Sequence, residues 1–455
     1  MIFRELLCYN IKIRTMFVSI NHGQRSVNQM EHDVTIIGGG PAGLMAAYAA
    51  ASNGAKVLLL EKGTKLGRKL AISGGGRCNV TNRAPLDELI RHIPGNGKFM
   101  HSPFANFNNE DIIRLFEEEL RIPLKEEDNG RMFPVSNKAI DVVRALIAHL
   151  KKIGVDLRTG QEVDDIILNQ DRSAVAGVRL KNGTELPTKT LIIACGGKSV
   201  PHTGSTGDGY AWAKKAGHTI TRLFPTEVPI KIHDPLISSR KLQGLSLRDI
   251  SLSVIHPKTG QTVKTHRGDM IFTHFGFSGP VALRCSQYVV KARFETGVKQ
   301  IPVQIDCFPD QNEEDLYETV ISRLENEPKK AVKNALSGFV PERLLLESLK
   351  KAGVKADESF AVQKNEHFRQ WIKLLKAFPF LASGTLSIEE AFVTGGGVDL
   401  KEIVPKEMAS KITDGLFFAG EILDLHGYTG GYNITVAFST GYSAGQAAAQ
   451  RLWYA

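Results

Sequence analysis

The chain has 455 residues, of which 42% are hydrophobic and 23% charged, with a formal net charge of +9. It is too long for one compact core, and no apolar run reaches the ~18 residues of a membrane span, so two or three soluble domains are expected. The five cysteines, Cys8, Cys78, Cys195, Cys285 and Cys307, form no close pair, which argues for a reducing, cytoplasmic setting and against a zinc site or a redox-active disulfide.

Residues 1–29 carry four Lys/Arg against one acid and no long apolar core, so no secretory signal is expected. Met30 reads as the working start, and the tail before it as disordered or absent. The organising stretch begins at Asp33. An apolar run to Ile37 is followed by Gly38-Gly-Gly40-Pro41-Ala42-Gly43, a helix through Leu44 to Ser52, a stop at Gly54, and a second apolar run closing on Glu61. This β-α-β context is what a dinucleotide fingerprint requires. Gly38 makes the tight exit from the strand, Gly40 lets the backbone approach a pyrophosphate, and Gly43 lets the helix pack closely on the sheet. Amides at the helix start, beside Pro41 and Ala42, face the phosphates, and Glu61 accepts from the ribose hydroxyls.

After Glu61 come Lys62, then Gly67-Arg68-Lys69, then Ser73-Gly74-Gly75-Gly76-Arg77-Cys78-Asn79, a basic glycine-rich loop placed where an extended FAD runs on towards its flavin. At these residues the chain resembles the HI0933-like family of FAD-dependent, NAD(P)-linked oxidoreductases, from about Asp33 to the C-terminus. The resemblance implies an α/β fold. Its core is a discontinuous FAD-binding Rossmann domain of the glutathione-reductase type, residues 30–205 plus 385–455, with a mostly-β substrate domain inserted at 206–310 and a small helical domain at 311–384.

Further along, apolar spacing predicts a helix over Asn109–Arg121 and a longer one capped by Asn137 and stopped by Gly154. Strands are expected at Val155–Arg158, Glu162–Leu168 and Ala174–Leu180; the family resemblance implies a meander there in which Val163 holds the adenine through its backbone. Thr190 to Ala194 reads as a buried strand ending at Cys195-Gly196-Gly197, and the family resemblance implies that this turn passes close to the cofactor. Cys195 there reads as a small buried residue, not a nucleophile. The loop Lys198–Gly209 starts a helix through Tyr210 to Ala216. Alternating apolarity from about Thr219 to Pro309 predicts the β insert. Between Arg222 and Lys299 it holds twelve Lys/Arg against five Asp/Glu, an excess that suits a polyanion or a solvated face. Phe272–Pro280 is a glycine-containing break before a helix from Val281, either a binding loop or a plain turn.

The chain then returns to the nucleotide domain. Gly415 to Gly420-Glu421 resembles the second FAD motif, and Asp424-Leu-His426-Gly-Tyr428-Thr-Gly-Gly431-Tyr432-Asn433-Ile434 opens the last helix. The positive end of that helix would face the flavin and raise its tendency to accept a hydride. His426, Tyr428 and Cys78 are the catalytic candidates for delivering a proton, with Arg131 next; each is equally read as a structural or cofactor contact.

Only one fingerprint is present, so the hydride donor is expected to be NADH or NADPH bound transiently over the flavin. The family resemblance offers several acceptors. The basic insert favours uridine in 23S rRNA, reduced to dihydrouridine. A small-molecule flavoenzyme, either a steroid enone reductase or an aminoacetone-type amine oxidase, is the alternative, and a non-catalytic flavin-containing RNA-binding or redox-sensing protein is another. No metal and no membrane partner are expected.

Overall fold

The computed structural model describes residues 32–453, so the readings of the N-terminal tail and of Met30 lie outside the described residues. Strand β1 (Val34–Ile37) is buried at every position, as an uninterrupted Val-Thr-Ile-Ile run requires of a strand covered on both faces. Helix α1 (Pro41–Ser52) follows with proline in its first turn, and strand β2 (Val57–Glu61) returns parallel to β1 with Val34 opposite Val57. Helix α2 (Arg68–Gly76) unwinds at Ser73, and Gly74 and Gly75 adopt left-handed backbone that only glycine takes without strain. Helix α3 (Ala139–Lys152) then crosses over to strand β3 (Asp156–Thr159), which lies parallel to β2.

Strand β3 corrects one expectation. The segment read as the first strand of the meander belongs to the main sheet, because α3 is the crossover that brings it alongside β2. The meander is instead Val163–Leu168, Val175–Leu180 and Glu185–Pro187. Asn137 does not cap α3 either; its backbone is left-handed (φ 53°) and Lys138 occupies the cap position. The helix expected at Asn109–Arg121 is a shorter helix, Asn109–Arg114, capped by Asn108 and running into a wider turn at Leu115–Glu119.

Strand β4 (Thr190–Ile193) pairs with β1 on the side away from β2. The chain then leaves for a closed six-stranded barrel. Its strands are β5 (Ile230–Ile232), β6 (Ser246–Ile255), β7 (Thr262–Phe272), β8 (Gly276–Ser278), β9 (Ile301–Asp306) and β10 (Phe378–Thr385), in the order β5-β8-β7-β6-β9-β10. Helix α4 (Pro280–Thr296) leaves β8 and buries Val281, Ala282, Cys285, Val289 and Ala292 in the barrel's core. The helices between β9 and β10 contribute Leu316, Leu345, Phe368 and Trp371 to that same core, so the helical segment and the barrel share one apolar cluster.

Strand β11 (Leu416–Phe418) joins β4, and helix α5 (Tyr432–Gln450) closes the chain. The nucleotide sheet thus runs β11-β4-β1-β2-β3 in parallel, with two short antiparallel strands, Ile403–Val404 and Ala409–Ser410, at the β11 edge. The strand order reverses at β1, so the crevice beyond the C-terminal ends of β1 and β4 is where such a sheet receives its ligand. No helix among the described residues is long and apolar enough to cross a membrane.

Candidate active site

Two helices set the geometry of that crevice. A Cβ on Gly43 would lie 1.8 Å from the Gly38 carbonyl oxygen, so α1 sits directly against the turn that leaves β1. Helix α5 packs on α1 by the same means: a Cβ on Gly441 would lie 2.3 Å from the Ala42 oxygen, and one on Gly445 2.1 Å from the Ala46 oxygen. The two contacts advance together along both helices, so the helices run parallel. Pro41 of α1 then lies level with Thr440, eight residues after α5 begins at Tyr432. At a 1.5 Å rise per residue, the α5 N-terminus overhangs the α1 N-terminus by about 12 Å. Two positive helix ends therefore open at different depths of one crevice.

The crevice is a cavity of about 1140 Å³, at or above the usual range of ~300–1,000 Å³ for ligand sites. The backbone N–H groups of Ala42, Tyr432 and Asn433 line it and meet no acceptor among the described residues. A Cβ at Gly40 would meet nothing within 4 Å, which leaves the backbone open to an approaching group, and the buried Asn79 Oδ1 on the cavity wall has no donor. Free donors at two helix ends, an open glycine and an orphaned acceptor fit an extended dinucleotide carrying a heterocycle.

Most of the residues expected to hold the cofactor line this cavity. They are Gly38, Gly40, Pro41, Ala42, Glu61, Lys62, Arg68, Lys69, Ser73, Gly74, Gly75, Arg77, Asn79, Val163, Ala194, Gly196, Gly420, Glu421, Gly431, Tyr432, Asn433 and Ile434. Gly43, Gly67, Gly197 and Cys78 stand behind the wall. Gly43 holds α1 to the strand turn, Gly67 backs onto Val143, and Gly197 backs onto the Thr394 hydroxyl.

The basic loop is neutralised by acids of the same domain. Lys62 Nζ meets Asp208 at 2.5 Å, and Arg77 meets Glu127 at 2.5 Å with its guanidinium over the Phe133 ring. Lys69 Nζ meets Glu421 at 2.6 Å, while Ser199 and the Thr394 amide donate to the other Glu421 oxygen. Burial raises the Glu421 carboxyl, but Lys69 and these donors outweigh it and hold the group below the ordinary carboxylate value. Glu61 accepts from the Gly39 and Gly63 amides, which aims it at the glycine turn.

Of the three catalytic candidates, Tyr428 alone lines the cavity. Its hydroxyl lies 2.5 Å from that of Tyr288 on α4; burial, then this contact, pushes its pKa well above the ordinary phenol value, so it stays protonated through the neutral range. His426 is 2% exposed, with Nε2 3.3 Å from the Gln287 oxygen and Nδ1 unpartnered. Burial first, then the Lys291 charge, lowers its pKa to about 3, so at neutral pH it is the neutral imidazole and not the acidic imidazolium. Cys78 is fully buried, and burial pushes its thiol up to about 12. Cys195 lines the cavity, its thiol likewise raised by burial to about 12, so it is not a thiolate nucleophile.

The remaining wall comes from the barrel: Arg267, Gly268 and Asp269 of β7, then Pro280 and Arg284 of α4. Arg284 stands 5.7 Å from the Tyr428 ring, forms no ion pair among the described residues, and leaves its buried Nε unpartnered. Behind Tyr428 lies Glu227, fully buried. One carboxylate oxygen accepts from the Thr429 amide at 2.7 Å; the other has no partner. Burial raises this carboxyl to about 7, against weaker lowering by the Thr429 bonds and the Arg284 charge. The sequence reading singled out Phe272–Pro280 but neither Arg284, one turn further on, nor Glu227. The local signals were a lone arginine in an apolar helix start and a lone acid in Thr226-Glu-Val228.

The family model for the HI0933-like protein Rossmann domain matches residues 32–447. Among curated proteins, the chain is 30% identical over 420 residues to the 3-dehydro-bile acid delta(4,6)-reductase of Clostridium scindens, covering 92% of this chain and 99% of that enzyme. It is 32% identical over 409 residues to the ribosomal RNA dihydrouridine synthase of Haemophilus influenzae, covering 90% and 96%. To the enzyme of that name from Escherichia coli it is 32% identical over 416 residues, covering 91% and 97%.

Proposed function

Because this chain belongs to the HI0933-like family, we propose that it is an FAD-dependent reductase that takes hydride from NADH or NADPH and saturates a carbon–carbon double bond conjugated to a carbonyl. The acceptor in this reading is uridine in 23S rRNA. Two relatives are named for making dihydrouridine in ribosomal RNA, and one for reducing a delta(4,6) bond of a 3-dehydro-bile acid. Carried to this chain, the shared chemistry is addition of a hydride and a proton across a double bond.

The chemistry FAD supplies when bound is reversible two-electron storage. The Ala42 amide and the open backbone at Gly40 would hold its pyrophosphate, Glu61 its ribose, and Val163 its adenine. The Tyr432 and Asn433 amides would face the flavin and favour negative charge there. Arg284 carries the reading, as an unpaired cation that lines the same cavity as those amides and stands 5.7 Å from the Tyr428 ring. A guanidinium in that place orients a carbonyl oxygen and stabilises the charge that develops on it when the neighbouring double bond takes a hydride. Tyr428 holds the proton for the adjacent carbon, and Tyr288 connects its hydroxyl to the barrel side. His426, neutral behind this wall, positions the segment that carries Tyr428.

The acceptor is read as RNA because strands β6 and β7 carry exposed Arg248 and Lys264, with Lys258 in the turn between them, and lead to Arg267 at the cavity. Mass spectrometry of 23S rRNA from a deletion strain tests it. Loss of one dihydrouridine, restored by the wild-type gene, is expected; unchanged dihydrouridine content refutes the RNA assignment. The bile-acid relative favours a second acceptor class, a free enone, which anaerobic reoxidation of the reduced enzyme by such a compound would select.

A further inference from the structure

Helix α4 has a second end. Nine residues after Arg284, Arg293 and Phe294 close its last full turn before Gly297 stops it with left-handed backbone. At the helical rise this places them about 14 Å along the axis from the cavity wall. A separate groove of about 380 Å³ opens there, lined by Arg222, Pro225, Val290, Arg293, Phe294 and Lys299 among others, none of them acidic.

Arg222 arrives from the chain just before the barrel and lays its guanidinium 3.5 Å from the centre of the Phe294 ring, which is still 40% exposed. Arg293 fits against Gly384, where a Cβ would come within 2.3 Å of its guanidinium. Arg222, Arg293 and Lys299 form no ion pair among the described residues. Three cations gathered in one recess with no carboxylate among its lining residues repel each other. A recess that concentrates them, adds an aromatic face and excludes carboxylates is chemically complementary to phosphate beside a planar base.

We propose that this groove binds the RNA strand next to the base being reduced, taking phosphates on Arg222, Arg293 and Lys299 and a base on the exposed face of Phe294. The inference rests on the RNA reading above and adds to it a location: α4 presents Arg284 to the reacting base at one end and holds the flanking nucleotides at the other. It also accounts for the basic excess between Arg222 and Lys299, whose members in this groove lie outside the catalytic cavity.

The test is fluorescence anisotropy of the flavin-loaded enzyme with a labelled single-stranded RNA covering the modified stretch, across a salt series. The triple variant R222Q/R293Q/K299Q is expected to weaken binding about tenfold or more at low salt and to reduce the slope of log affinity against log salt by about 2, as loss of about three single-strand phosphate contacts predicts. Phe294→Ala is expected to weaken binding about tenfold while leaving the slope unchanged, since stacking releases no counterions. Flavin content and the rate of bleaching by NADH or NADPH should match the parent in both variants. If the parent binds the RNA and the triple variant binds it with the same affinity and slope, the groove is refuted while the RNA reading stands. A raised KM for NADPH with unchanged RNA affinity would reassign the groove to the nicotinamide dinucleotide and overturn the proposal. If the parent binds no RNA, the groove and the RNA reading fall together.

Discussion

In the nucleotide-binding half, Lys62, Lys69 and Arg77 stand 2.5 to 2.6 Å from Asp208, Glu421 and Glu127, whereas in the barrel half Arg222, Arg284, Arg293 and Lys299 meet no carboxylate among the described residues. The difference separates two ways of recognising a ligand. In the proposed reading the first half delegates recognition to backbone: free amides at two helix ends would bind, and the paired side chains fix the loops that place them. Such partly exposed pairs add little stability, so their value is positional. The second half leaves these four cations uncommitted, and an unpaired guanidinium on a cavity wall gains most from a substrate that brings the missing negative charge.

Changes at the helix contacts of the first half should have the largest effect, because backbone recognition fails as soon as the helix moves. Gly43→Val would force side-chain atoms into the space 1.8 Å from the Gly38 oxygen, and Gly441→Val would do the same 2.3 Å from the Ala42 oxygen. Both variants are expected to purify without flavin absorbance or not to fold; a yellow, fully active Gly43→Val protein would show that α1 does not define the site. Next comes the uncommitted cation. Arg284→Met should keep its flavin and its bleaching by nicotinamide but lose ~10²–10³-fold in transfer to the acceptor, the usual cost of removing one charge-stabilising donor. Arg284→Lys should recover part of that loss. Stopped-flow measurement of the two half-reactions separates these outcomes, and an unaltered acceptor step would erase the distinction between the halves.

The halves also differ in how much of them the sequence disclosed. Strand β1, the glycine turn, α1 and Glu61 were legible because the residues that specify them are neighbours and the periodicity is local. The last helix was legible at its start, through Gly430 and Gly431. Its packing was not: Gly441 and Gly445 acquire meaning only against Ala42 and Ala46, some 400 residues earlier. The burial of two catalytic candidates was hidden for the same reason, since nothing beside His426 in the chain reveals that Gln287 and Phe224 enclose it. Arg284 went unnoticed because its neighbour in the cavity wall, Tyr428, lies on a different domain. The β insert was read correctly as alternating strands, but its closure depends on β10 returning after the helices to pair with both β9 and β5.

A smaller effect contrasts two acids, one from each regime. Glu421 has Lys69 beside it and lies below its ordinary value; Glu227 has no cation in contact and is raised from 4.5 to about 7. For Glu227 the folded chain keeps a proton that the unfolded chain has already lost between these two values, so stability falls as pH rises through that window and stays reduced above it. Glu227→Gln should therefore melt higher than the parent at pH 8 and nearly level with it at pH 5, with an upper bound of roughly 3 kcal/mol from ~1.4 kcal/mol per pH unit. Glu421→Gln should do the opposite at pH 8, because a lowered carboxyl stabilises above its unfolded pKa and loses that contribution only in acid. Thermal melts at the two pH values check both signs.

The smallest expected effect comes from a barrel cation that lines the cavity but is paired. Arg267 lines the cavity like Arg284 but is held by Asp249 at 2.7 Å and Asp310 at 2.5 Å, all three side chains well exposed. Exposed pairs are screened and contribute little to folding, so Arg267→Ala should leave the melting temperature and the chemical step nearly unchanged. It would, however, leave Asp249 and Asp310 without their cation beside a residue of the cavity wall. A modest rise in KM for an RNA acceptor is expected, fading as salt screens the repulsion, with kcat preserved. A loss of kcat comparable to that of Arg284→Met would mean that pairing with acids does not mark which cations the substrate uses, and the contrast between the two halves would fail at the residue where they meet.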